Sequence, residues 1–139
     1  MLARFETYPS FNPLVGELFF EDPFEATAVA DTSFAPPLDV AENGEEIVVV
    51  AEVPGVKKED VKISLEKGIL SIGGEKKSGA RPENARGLVS EQHQGKFLRT
   101  IRLPYEVNAA GVSAELADGL LRIVLPKAEA AKAHEISVR

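Results

Sequence analysis

Ala114-Glu115-Leu116-Ala117-Asp118-Gly119-Leu120-Leu121-Arg122-Ile123-Val124-Leu125-Pro126-Lys127 is the stretch whose reading decides the fold. Two apolar segments flank Asp118-Gly119. An Asp-Gly pair supplies the two positive-φ positions of a type I′ turn, so the stretch predicts a tight hairpin. Pro126 has no N–H to give to a ladder and ends the second strand. Residues 127–139 read as a free C-terminal extension, and the sequence before the hairpin reads as the sheets it joins.

Working upstream, Val112 to Leu116 alternates apolar and polar residues. Phe97-Leu98-Arg99-Thr100-Ile101-Arg102-Leu103 is a strand closed by Pro104. Phe97, Ile101 and Leu103 share one face with Arg99. A guanidinium there needs either a carboxylate partner or a half-buried position from which its head reaches water. Val61, Ile63 and Leu65 alternate with Lys62, Ser64 and Glu66, which is period 2 with one wet face. Lys67-Gly68 turns the chain into Ile69–Ile72, and Gly73-Gly74 predicts a bulge or a close backbone approach. Further back, Pro54-Gly55 suits the centre of a type II turn. Lys57–Asp60 reads as one helical turn. Glu45–Val53 reads as a strand, Asn43-Gly44 as a type I′ turn, and Leu38–Glu42 as a short strand.

The segment from Glu75 to Gly95 breaks this rhythm. It is long and polar, and only Leu88-Val89 is apolar in its middle. Long loops in small domains usually have a task. Leu88, Val89, Ser90 and Glu91 read as a short strand that pairs with its own sheet edge or, where it cannot reach that, with the edge of another subunit, covering an edge that would otherwise invite aggregation. With it the count is about eight short strands and no helical period, an all-β, immunoglobulin-like antiparallel β-sandwich over residues 36–126.

Residues 1–35 differ in kind. They hold six of the seven phenylalanines, one basic residue and six acidic ones, whereas the rest of the chain is nearly balanced. Pro9, Pro13 and Pro23 break any long helix. The rings either pack on the domain core or form a flexible N-terminal arm that buries them against other proteins, and the acid content favours the arm. Phe5, Phe11, Phe19, Phe20 and Phe24 are its candidate contacts for exposed apolar surface.

Some chemistries are excluded. The chain has no cysteine and only two distant histidines, so no metal-ligand spacing appears. A net charge of −6 offers no basic face for nucleic acid. No apolar run suits a secretion leader or a membrane span, so a cytoplasmic location is expected. Gly95-Lys96 is followed by Phe97 and Ser90 stands where a phosphate loop needs its first glycine, so no nucleotide site is read. Neither an enzymatic constellation nor a cofactor site is expected.

Four pieces, taken in order, resemble one family. Val53-Pro54-Gly55-Val56, Gly95-Lys96-Phe97-x-Arg99-x-Ile101-x-Leu103-Pro104, Ala114-x-x-x-Asp118-Gly119-Leu120-Leu121 and Ile136-Ser137-Val138 are similar to the signatures of the small heat-shock proteins, the α-crystallin family. The polar segment at Glu75–Gly95 resembles its bacterial and plant branch. The resemblance implies an ATP-independent holdase that binds partly unfolded proteins, works as a dynamic oligomer built from dimers, and hands clients to ATP-dependent chaperones. It also implies Ile136 and Val138 as a C-terminal anchor. The groove that takes the anchor on another subunit would lie between Val61, Ile63 and Leu65 on one strand and Val112, Ala114 and Leu116 on the other. Leu88, Val89, Ser90 and Glu91, with Arg99, would serve strand exchange in a dimer. Val138 stands where isoleucine is commoner and Leu120 where many relatives carry valine. The other reading is a monomeric co-chaperone of the same fold, which binds a folded chaperone. The aromatic arm and the Ile-x-Val pair argue against it.

Overall fold

The computed structural model describes residues 34–138. Among the described residues seven strands form, with two single 3-10 turns between them and a third after the last strand. β1 (Leu38–Glu42), β2 (Glu46–Glu52), β7 (Leu120–Pro126) and β6 (Ser113–Ala117) make one antiparallel sheet in the order β1-β2-β7-β6. β3 (Val61–Glu66), β4 (Ile69–Lys76) and β5 (Gly95–Arg102) make the other, in chain order.

The core lies between the sheets. Ile47, Val49, Ala51, Leu121, Ile123 and Leu125 come from one layer, and Leu70, Ile72, Phe97 and Ile101 from the other; all are buried. The alternation fixes the register, because a slip of one residue would turn every one of these side chains to water. Ile47 opposes Leu125 and Val49 opposes Ile123, so the two central strands present a continuous apolar face.

The hairpin at Asp118-Gly119 forms as the sequence predicts, with φ of 51° and 78°. Its Gly119 carbonyl accepts a hydrogen bond from the N–H of Val53 at 2.8 Å, which ties the turn to the start of the Val53-Pro54-Gly55-Val56 turn. Lys67-Gly68 is also a positive-φ pair, and Lys58–Asp60 is a 3-10 turn. Gly73-Gly74 is a close approach rather than a bulge, since the β4–β5 register runs through both residues without interruption.

Three expectations are corrected. Asn43-Gly44 is not a type I′ turn, because neither residue takes a positive φ. Asn43 instead accepts hydrogen bonds at Oδ1 from the N–H groups of Glu45 and Glu46, at 2.8 and 2.9 Å, and its own N–H donates to the Glu46 carbonyl at 3.0 Å. The side chain replaces the backbone twist that a two-residue turn would need. Leu88–Glu91 is not a strand within the single chain. The extension after Pro126 is not free at its root: Lys127 is buried, and the chain stays attached through Lys132.

The domain's contacts begin before the Pro36-Pro37 pair. Phe34 forms a parallel bridge with Phe97 on the outer edge of β5, and its ring lies 5.5 Å from that of Phe97 and 5.6 Å from that of His93. Phe5, Phe11, Phe19, Phe20 and Phe24 of the N-terminal arm lie outside the described residues.

Candidate functional site

The candidate site is the flank where two unpaired strand edges meet. β3 is an edge of the three-stranded sheet and β6 an edge of the four-stranded one. Phe34 decides which edges share a flank. It sits outside β5, and β1 begins four residues later, at Leu38. Four residues span at most about 14 Å, and stacked sheets lie about 10 Å apart. β1 and β5 therefore occupy one flank, and β3 and β6 the other.

Val61, Ile63 and Leu65 project from β3 toward the core and are only half covered. Val112 and Leu116 do the same from the β6 side, and Ala114 between them is exposed. The sequence-predicted groove residues are thus gathered on one flank, with apolar surface that the single chain does not bury. Small Ala114 between two larger residues leaves space at the middle of that wall.

The predicted anchor is not on this groove. Ile136 is 86% exposed and Val138 is 96% exposed, and both lie beyond the last residue that bonds to the domain. An extended Ile-x-Val places both side chains on one side, spaced like alternate groove residues on a strand.

The extension's root is fastened in two steps. The N–H of Lys127 donates to the Glu45 carbonyl at 2.8 Å, that of Asn108 to the Pro126 carbonyl at 2.8 Å, and that of Ala128 to the Glu106 carbonyl at 2.9 Å. Lys127, only 8% exposed, pairs with Glu42 at 2.7 Å and lies 4.2 Å above the Tyr105 ring. A 3-10 turn at Glu129–Ala131 follows, and Lys132 Nζ pairs with Glu45 at 2.7 Å and with Glu129 at 2.9 Å. The hydrogen bonds to Glu45 and Glu129 raise the Lys132 ammonium above the ordinary lysine value, and Lys132 holds the Glu129 carboxyl below its own. Sequence reading missed this fastening, because Glu42 and Glu45 stand at the other end of the chain. The signal was present only as lysines in an otherwise Ala-rich extension.

Leu88 and Val89 are 79% and 78% exposed, in a segment whose ends are drawn together. Ser78 Oγ and Gln94 Oε1 lie 2.6 Å apart, and Lys77 pairs with Asp60 at 2.7 Å, which raises the Lys77 ammonium above its usual value. The loop closed by Ser78 and Gln94 leaves its apolar pair exposed. Arg99 is half-buried beside β4, opposite Ile72, and burial lowers its guanidinium from the ordinary value. It belongs to β5 and is not adjacent in the sheet register to residues 88–91.

Among the described residues, no group of three or more His, Cys, Asp or Glu side chains is placed to hold a metal, and no helix is long and apolar enough to cross a membrane. The arrangement offers surfaces for chain–chain contact.

Comparison with known proteins agrees with that chemistry. The model of a family described as "Hsp20/alpha crystallin family" matches residues 39–139. Heat shock protein 16 of Schizosaccharomyces pombe is 35% identical over 124 residues, covering 86% of this chain and 87% of the relative. A 17.4 kDa class I heat shock protein of Arabidopsis thaliana is 36% identical over 128 residues, covering 84% and 82%. Among solved structures, heat shock protein 16.0 from Schizosaccharomyces pombe superposes with a TM-score of 0.66 at 34% identity, over 76% of this chain and 99% of that one. A small heat-shock protein from Xylella fastidiosa, described as having a distinct high order structure, gives 0.64 at 31% identity, over 78% and 99%.

Proposed function

Since the chain belongs to the Hsp20/alpha crystallin family and so to a family of chaperones, we propose that it is an ATP-independent holdase that assembles into oligomers from dimers. The observation that carries this reading is that one chain holds both half-covered apolar residues along two unpaired strand edges and an exposed Ile136/Val138 pair. Unfolding proteins expose apolar surface and unpaired strand edges, and this chain carries surfaces of the same chemistry. In the resting assembly the anchor of one subunit fills the groove of another, and the exposed Leu88-Val89 segment adds a strand to a partner's edge within the dimer. When anchors leave, the grooves and the aromatic arm, with Phe5, Phe11, Phe19, Phe20 and Phe24, become available to clients, which ATP-dependent chaperones then take over.

One anchor is weak by itself. Two buried β-branched side chains contribute roughly 3–6 kcal/mol gross, and ordering the extension offsets part of that. Many such links in one particle give high avidity while each still opens. The test is light scattering from a heat-labile client, with and without this protein and in the absence of nucleotide. The expected result is suppression at equimolar subunits; scattering that rises as fast as in the client alone overturns the holdase reading.

A further inference from the structure

We propose that Lys127 and Lys132, held by Glu42, Glu45 and Glu129, aim the anchor away from its own groove, so that Ile136 and Val138 engage a second copy of this chain. The inference rests on the anchor reading above and adds the residues that choose between docking within a chain and docking across chains.

The geometry runs from β7 outward. At Pro126–Ala128 the chain has a neighbour on each side, Glu45 just before β2 and residues 106–108 leading toward β6. From there it has two ways to turn. The β6 side leads to its own groove, since Ser113 of β6 lies opposite Val124 of β7. The β1–β2 side leads away from it. The turn at Glu129–Ala131 carries Lys132 to Glu45, in the β1–β2 connection, so the chain takes the second way. Lys127, paired with Glu42 and covered by Tyr105, fixes the direction one turn earlier.

Reach then decides the outcome. From Lys132 to Ile136 the chain spans at most about 14 Å. Crossing back over the ends of β7 and β6 uses about 10 Å of it at the ordinary strand spacing, before any length is laid along the groove. Docking on a second copy needs no backtracking. The lysine–carboxylate pairs thus act as positioning groups for assembly, and Lys132, with two carboxylates on one ammonium, is the one most open to a charge change.

The chain has no cysteine, so an introduced pair is read without background. Ser113→Cys on β6 and Ser137→Cys in the anchor, in the full-length chain, are joined with a short bismaleimide and run on a denaturing gel. The expected product is almost wholly between subunits, seen as dimers and higher ladders. Adding Lys132→Glu, which faces Glu45 and Glu129 with like charge, should raise the within-chain product several-fold. Exchanging the charges, Glu45→Lys with Lys132→Glu, should return it toward the original share. An unchanged partition in Lys132→Glu, or a mainly within-chain product in the unaltered background, overturns the steering role. If neither background gives any product, the anchor reading itself fails and the steering with it. A lysine that only stabilised the fold would lower the melting temperature and leave the partition where it was.

Discussion

Gly74 is the position where one added carbon does the most harm. A Cβ there would collide with the carbonyl oxygen of Asp60 and lie 2.8 Å from Phe97 Cζ. The first obstacle is backbone in the 3-10 turn before β3, and the second is a buried ring, so neither gives way cheaply. Gly74→Ala should cost about 2–3 kcal/mol, as overpacking does. That corresponds to a fall in melting temperature on the order of 10 °C for a domain of this size. Gly44, with nothing within 4 Å of the same virtual atom, is the control, and Gly44→Ala should melt with the unaltered protein. An equal loss in both variants would show that the β4–turn contact is not what limits Gly74. Residues also show where sequence reading stops. Asp118-Gly119 and Asn43-Gly44 carry the same short-range signal, yet only the first takes the positive-φ pair. Two-residue closure suits strands that meet at their last residues. β1 and β2 instead leave Asn43–Glu45 between them, and an asparagine side chain is equally suited to closing that longer turn.

At the scale of elements, the seven strands were legible from short apolar or alternating runs bounded by turn residues, a pattern written locally in the chain; the alternation is clearest in β2 and β7, which bury every second residue. What was not legible depends on partners far away in sequence. The extension's root is set by Glu42 and Glu45, and nothing near Lys127 or Lys132 announces them. Residues 88–91 present the opposite case. Their composition reads as a strand, yet within one chain they pair with no edge, and Leu88 and Val89 stand exposed. In the proposed dimer, this short apolar segment would gain its hydrogen bonds from the sheet edge of another chain. Leu88→Asp with Val89→Asp leaves the core of each sandwich untouched, because neither side chain packs in it. The expected outcome is an unchanged circular dichroism spectrum together with a native mass that falls to the single chain at concentrations where the unaltered protein is dimeric or larger. Retention of the dimer in that double variant would place the dimer contact elsewhere on the domain.

At the scale of the whole molecule, affinity per link and number of links pull against each other. A gross 3–6 kcal/mol per anchor, less the ordering of residues beyond Lys132, leaves a single link near the millimolar range. A particle held by several such links stays together when concentrated and sheds subunits when diluted or warmed, which is the behaviour a holdase needs if its resting contacts also hide its client surfaces. On the anchor reading proposed above, Val138 would set this balance with one side chain. Val138→Ile adds one methylene to the anchor, worth about 0.8 kcal/mol where it is buried, or roughly fourfold in the affinity of each link. Across several links the effect compounds. The dilution at which native mass falls from oligomer to dimer should therefore move down by more than fourfold, and subunit exchange between labelled and unlabelled protein should slow. The same substitution should weaken client protection at low temperature, where release of subunits limits exposure of the grooves. A dissociation midpoint identical in Val138→Ile and the unaltered chain would mean that the last anchor position lies outside the groove, and would move the count of docking side chains from two to Ile136 alone.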